Sequence, residues 1–149
     1  MTSRRHKDSG KWRVHFFRRH QEDDPSESVP TIDYSETLST SAVAEINAVL
    51  DAVANAPPPT FSGGGKWEVM GRDMAGFFEV RVTGNNKGGQ RMNHRLFCLL
   101  VRDASDLGGS SIVCIGGLSK PPRTAARPRE YQQIKRFADE FRRRRTVME

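Results

Sequence analysis

Four basic residues stand where predicted strands would end or turn outward. The apolar run at residues 92–101, MNHRLFCLLV, opens with His94 and Arg95; FFEVRV carries Arg81, and Lys120 closely follows SIVCIGGL. Strands that are buried on both faces exclude charges, so these side chains must emerge at a rim. An arginine can hold a phosphate through two parallel hydrogen bonds, and a lysine adds a compact positive charge. The residue types therefore predict a phosphate-binding site if the fold brings the cations together.

His94 and Arg95 compete for the same place in such a site. Neighbouring side chains of a regular strand point to opposite faces, so both can enter one site only at a bulge or a strand end. A histidine can act as an acid or a base near neutral pH, but a lone histidine at a strand start can equally be structural. For Arg81 and Arg95 the alternative to phosphate binding is a salt bridge to Glu79 or Asp103, or a solvated strand arginine.

Lys120 has two possible roles beside those arginines. It can act in catalysis as an acid, a base or a cation that stabilises the transition state. A lysine serves as a base near pH 7 only where neighbouring cations lower its pKa, whereas the cationic role needs no such change. The alternative is a loop lysine that only anchors a phosphate.

Charge is distributed unevenly along the chain, whose net charge is +6. Residues 21–65 contain eight acidic residues and no lysine or arginine, so that block carries −8 and the remainder +14. This asymmetry predicts one face that attracts a polyanion such as RNA and another face that does not. Two alternatives stay open: a basic protein without such a ligand, and an acidic segment that docks on the basic face of its own chain.

No pattern predicts a metal, a cofactor or a membrane segment. Cys98 and Cys114 lie inside apolar runs and are expected to be reduced thiols in a core. The cysteines and histidines lack the spacing of a zinc site, and the glycine-rich stretches lack the Lys-Ser/Thr of a phosphate-binding loop. The N-terminus has no apolar stretch of a signal peptide, and no apolar run is long enough to span a bilayer. A cytoplasmic protein is expected.

The patterns predict a disordered basic N-terminus at residues 1–10 and one domain at residues 11–149. Trp12, Val14 and Phe16 alternate with Arg13, His15 and Phe17, which predicts a strand with one buried side at residues 11–17. Residues 21–30 are expected to form a loop. A serine-rich entry at residues 39–41 precedes an amphipathic helix that the prolines at residues 57–59 would stop. Its apolar stripe is Val43, Ile46, Val49, Leu50 and Val53.

The second half of the chain predicts a meander and a final helix. After a short extended piece at residues 67–70, strands at residues 77–82, 92–101 and 111–118 alternate with turn-rich loops. The closing helix carries an apolar stripe from Tyr131 to Phe141 and ends in an arginine run at residues 142–145, which is either solvated or in contact with RNA. The prediction is an α+β domain: a small twisted antiparallel sheet of about four strands, with helices packed on one face.

Three of these segments resemble motifs of the RelE/HigB superfamily of bacterial toxin–antitoxin toxins, especially its phage-associated HigB-like branch. FFEVRV is similar to the family's Glu-Leu-Arg strand, and HRLFCLLV to its strand opened by arginine. SIVCIGGLSKPP is similar to its apolar strand that ends in a lysine before a proline-led helix. Where the family often has a second lysine, Pro121 follows Lys120, and Cys98 stands where an aromatic residue is common. The resemblance implies a RelE-like fold for residues 67–145.

The resemblance also implies a function: an endoribonuclease that cuts messenger RNA, usually on the ribosome, and that a partner antitoxin, a helix-turn-helix DNA-binding protein, keeps silent. Cleavage without a metal uses the 2′-hydroxyl as nucleophile, so the site must align it with the phosphorus, move protons and stabilise charge. The catalytic candidates are Arg81, Arg95, Lys120 and, conditionally, His94. The RNA-binding candidates are Arg72, Lys87, Arg123 and Arg127.

Two other functions remain open at this point. A ParE-like relative would use the same fold to poison DNA gyrase by protein contact. A noncatalytic RNA-binding or ribosome-binding module would use the basic face without cutting its ligand.

Overall fold

Residues 11–56 and 65–148 are described by a computed structural model, and they contain six strands and three α-helices. The N-terminus at residues 1–10 and the prolines at residues 57–59 lie outside the described residues. In chain order the elements are β1 (Arg13–Phe17), α1 (Pro30–Ser35), α2 (Thr40–Asn55), β2 (Trp67–Val69), β3 (Phe78–Asn85), β4 (Arg91–Val101), β5 (Ser111–Lys120), α3 (Pro128–Arg144) and β6 (Val147–Met148).

The strands form one mixed sheet in the order β2-β3-β4-β5-β1-β6. The predicted meander of β3, β4 and β5 is antiparallel, but β1 pairs in parallel with β5. The α+β class is confirmed, whereas the prediction of about four antiparallel strands is wrong. β2 lies within the short extended piece that was expected at residues 67–70, whereas β6 spans two residues, too few to show a period. The direction of β1 is set by its distant partner, not by its own pattern.

Helices cover both faces of the sheet, so the prediction of helices on one face is also wrong. Val53 of α2 packs with Leu96 on one face, and Phe141 of α3 packs with Phe97 on the other. The central strands are apolar on both sides and need two covering layers. β1 was expected to bury one side: Val14 and Phe16 pack against the first cluster, and on the other side Phe17 is buried in the second cluster while Arg13 is exposed.

Local capping explains where two of the helices begin. The Ser39 hydroxyl accepts a hydrogen bond from the Ala42 N–H at 3.2 Å, which starts α2 as predicted. At α3 the Glu130 carboxylate accepts from the Arg127 N–H at 2.7 Å. α1 begins at the last residue of the predicted loop and was not predicted, because six residues are too few for helical periodicity. Its one signal is Pro30 at the first turn.

The arginine run that closes α3 is engaged in ion pairs with acidic segments of the same chain. Arg144 contacts Asp23 at 2.8 Å, Arg143 contacts Asp23 at 3.2 Å, and Arg145 contacts Asp106 at 2.8 Å. The acidic segment therefore docks on the C-terminal end of α3. These pairs neutralise charge at a helix end where the dipole already favours cations.

Cys98 and Cys114 are free, buried and paired across β4 and β5, with their sulfur atoms 4.0 Å apart. Burial raises the pKa of the Cys98 thiol, so it stays protonated. None of the described helices has the length and apolar character required to cross a membrane.

Candidate functional site

The strand register sets two rows of side chains on the face of the sheet that α3 covers. In one row Arg81 of β3 lies opposite Arg95 of β4. In the next row Asn93 of β4 lies opposite both Thr83 of β3 and Lys120 of β5. Residues two apart on a strand share a face, so the two rows are adjacent.

A cleft of about 410 Å³ opens over these rows. The loop at residues 124–126 and Tyr131 of α3 form its other wall. Arg81, Arg95 and Lys120 all line it, although up to 39 positions separate them in the sequence. The fold thus brings the three cations to one cavity of a size that can admit a nucleotide unit.

Carboxylates hold each of the three cations in place. Arg81 contacts Glu68 at 2.8 Å, and Lys120 contacts Glu130 at 2.7 Å. The salt-bridge alternative to phosphate binding is present for both arginines, since Arg81 lies 3.3 Å and Arg95 lies 3.5 Å from Glu79. None of these carboxylates is among the residues that line the cleft, whereas the cations are. The arrangement fixes the cations beside the cavity and balances much of their charge.

Glu79 links the two arginines from beneath. Its carboxylate lies 3.3 Å from Arg81 Nε and 3.5 Å from Arg95 Nε, and the side chain is only 5 % exposed. Burial raises the pKa of Glu79, and the nearby Arg95 and Arg81 offset only part of that effect. Glu79 is thus a positioning residue for both guanidinium groups.

Glu79→Gln is expected to shift the pH dependence of stability. The folded protein binds the Glu79 proton more tightly than the unfolded chain, so this residue's contribution to stability falls as pH rises above its usual pKa of 4.5. Glutamine does not ionise. The free energy of unfolding of the variant, relative to the wild type, should therefore increase between about pH 4 and about pH 7 in urea denaturation. A constant difference across this range would contradict the raised pKa.

Tyr131 was missed as a site residue because its position fits the apolar stripe of α3. Its hydroxyl accepts a hydrogen bond from Arg95 Nη1 at 2.7 Å, and its ring packs edge-on against Phe97. As that bond uses the oxygen as acceptor, the hydroxyl proton is available for donation into the cleft. One signal in the sequence could have identified Tyr131. It is the first residue of the stripe, next to the preceding loop, and it carries a hydroxyl where the other stripe residues are aliphatic or phenylalanine.

His94 borders the cleft, but its imidazole is fully buried on the opposite face of the sheet. Its Nδ1 lies 2.7 Å from Ser119 Oγ and its Nε2 lies 3.0 Å from Gly84 O. The only register shift between β4 and β5 falls at residues 97–98, so the strand alternates regularly at His94 and Arg95. The condition for a catalytic histidine is therefore not met, and Arg95 takes the place facing the cleft.

The four RNA-binding candidates are all exposed but are placed differently. Arg123 and Arg127 flank the loop at residues 124–126 that forms one wall of the cleft. Arg72 lies in a short helical turn, and Lys87 lies in the β3–β4 hairpin turn, where its N–H donates to Thr37 O. None of the four lines the cleft; the first two are next in sequence to its lining loop, whereas Arg72 and Lys87 belong to other segments.

Across residues 11–56 and 65–148, no three His, Cys, Asp or Glu side chains are grouped so that they could hold a metal ion. No protein-family model, curated protein or solved structure matches this chain.

Proposed function

We propose that this chain is a RelE/HigB-like toxin of a toxin–antitoxin system, with a RelE-like fold, and that it is a metal-independent endoribonuclease cutting messenger RNA. The observation that carries the proposal is the convergence of Arg81, Arg95 and Lys120 on one cleft. Two guanidinium groups and an ammonium around one cavity match the charge that a phosphodiester gains during cleavage.

The chemistry assigned to the cleft is attack of the 2′-hydroxyl on the adjacent phosphorus. The phosphorus–oxygen bond to the 5′-oxygen breaks, and a 2′,3′-cyclic phosphate forms. Arg81 and Arg95 bind the non-bridging oxygens, and Lys120 stabilises the negative charge of the transition state. Tyr131 donates a proton to the departing 5′-oxygen, and the proton of the 2′-hydroxyl passes to water at the open mouth.

Charge balance in the cleft supports cleavage on the ribosome over cleavage of free RNA. Glu68, Glu79 and Glu130 pair with the three cations, so the attraction for a free polyanion is weak. A ribosome would already hold the messenger RNA in place, which lowers the entropic cost of positioning the RNA in the cleft. An antitoxin partner is part of the same proposal.

The decisive experiment is cleavage of a defined messenger RNA by the purified protein, with and without ribosomes. We expect cleavage on ribosomes that EDTA does not inhibit and whose product ends in a 2′,3′-cyclic phosphate. A single 2′-deoxy substitution at the cut site should abolish it, because the nucleophile is gone. Cleavage of the deoxy-substituted RNA would refute the mechanism.

Two other results would identify the other two functions. Salt-sensitive RNA binding without any cleavage, even on ribosomes, would identify a noncatalytic module. Intact messenger RNA together with broken or abnormally supercoiled DNA in expressing cells would identify a gyrase poison. Either result would replace the endoribonuclease proposal.

A further inference from the structure

The sheet face opposite the cleft carries an acidic surface that RNA binding does not explain. Among the eight acidic residues of residues 21–65, four form ion pairs with arginines or a lysine. The other four are exposed and have no ion pair within the described part of the chain: Glu27 in the loop before α1, and Asp33, Glu36 and Asp51 on or beside α1 and α2, the helices of this face. Because residues 21–65 include no lysine or arginine, this surface attracts cations.

An apolar crevice of about 130 Å³ opens on this surface between α1, α2 and the sheet. Its apolar lining includes Ile32, Leu38, Val43, Ile46, Leu50 and Leu96. An apolar cavity of about 150 Å³ is known to hold a benzene molecule. The crevice is slightly smaller than that cavity but is open to solvent, so it can admit one side chain of the size of leucine or phenylalanine.

Two of the free carboxylates stand next to the crevice. Glu36 is the C-terminal cap of α1 and lies four residues after Ile32, and Asp51 lies four residues after Asn47 on α2. Residues four apart on a helix are neighbours on its surface, and Ile32 and Asn47 both line the crevice. The apolar opening is thus bordered by negative charge contributed by both helices.

We propose that this acidic crevice, defined by its apolar lining together with Glu36 and Asp51, binds a segment of a partner protein in which lysines or arginines flank one apolar anchor residue. The anchor fills the cavity, and the basic residues meet the carboxylates. Since the crevice and the cleft lie on opposite faces of the sheet, a bound segment leaves the cleft open. The partner would position this protein without blocking its site, and the inference does not depend on RNA cleavage.

The test uses the full chain and a blocked synthetic peptide with one phenylalanine between lysine pairs, measured by isothermal titration calorimetry. We expect binding that weakens as salt is raised and that is lost when serine replaces the phenylalanine. Glu36→Lys combined with Asp51→Lys should weaken binding by about tenfold or more. Both positions are exposed, so thermal unfolding should show that the variant remains folded.

Asp139→Lys is the matched control, because it reverses an exposed carboxylate on α3, on the other side of the sheet. It should leave the affinity unchanged. The proposal is overturned if the control weakens binding as much as the double variant, if the serine peptide binds equally well, or if no binding is seen. These binding outcomes are the same whether or not the protein cleaves RNA.

Discussion

Lys120→Met is expected to lower the rate of RNA cleavage by about 10²–10³-fold, the effect of removing one preorganised group that stabilises a transition-state charge. Lys120 stands at the end of β5, is 16 % exposed, and is held 2.7 Å from Glu130. Methionine keeps most of the apolar stem and removes the charge. Glu130 still accepts the Arg127 N–H, so the start of α3 should remain capped.

The effect should appear in the catalytic rate on ribosomes and in the growth of expressing cells, which should recover. Lys135→Met is the control, because Lys135 is an exposed lysine of α3 outside the cleft. It should cleave as the wild type does. If Lys120→Met still cleaves at the normal rate while Arg81→Met does not, Lys120 has no catalytic role. If both retain full activity, the cleft is not the active site.

Gly117→Ala is expected to destabilise the fold by about 3 kcal/mol, at the upper end of the range for overpacking. A Cβ atom at this position would overlap the ring of Tyr34 and lie 2.7 Å from the carbonyl oxygen of Arg95. The ring of Tyr34 is held by its hydroxyl, which donates to Leu118 O at 3.0 Å. Neither the backbone of β4 nor this ring can move without disturbing the strand that carries Arg95.

Urea denaturation measures the loss, and the adjacent Gly116→Ala serves as its control. A Cβ at Gly116 would meet no atom closer than 3.4 Å, so that variant should lose much less. Combining Gly117→Ala with Tyr34→Ala should recover part of the loss, because one of the two obstacles is removed. Equal stability of the Gly116 and Gly117 variants would contradict the close packing of α1 on β5.

Long periodic segments could be predicted from the sequence. The stripe that begins at Val43 and the stripe that begins at Tyr131 each identify a helix, and the alternation in FFEVRV assigns Val80 to one face and Arg81 to the other. These patterns are visible because each residue's side depends only on its own strand or helix. β6 and α1 are too short to repeat any pattern, so they could not be predicted.

Part of the candidate site could be predicted in the same way. Alternation at His94 and Arg95 required that only one of them face the cavity, and the arginine does. The contributions of Glu79 and Tyr131 could not be predicted. A glutamate in a strand and a tyrosine in an apolar stripe have ordinary explanations until their neighbours are known.

The amino-acid pattern establishes the α+β class, the alternation of the central strands and the separation of acidic from basic segments. All three follow from local periodicity and composition, which need no knowledge of distant contacts. The parallel pairing of β1 with β5, the coverage of both sheet faces and the meeting of Arg81, Arg95, Lys120 and Tyr131 come from tertiary contacts alone. Such contacts depend on how separate elements share a core, and no single segment encodes that.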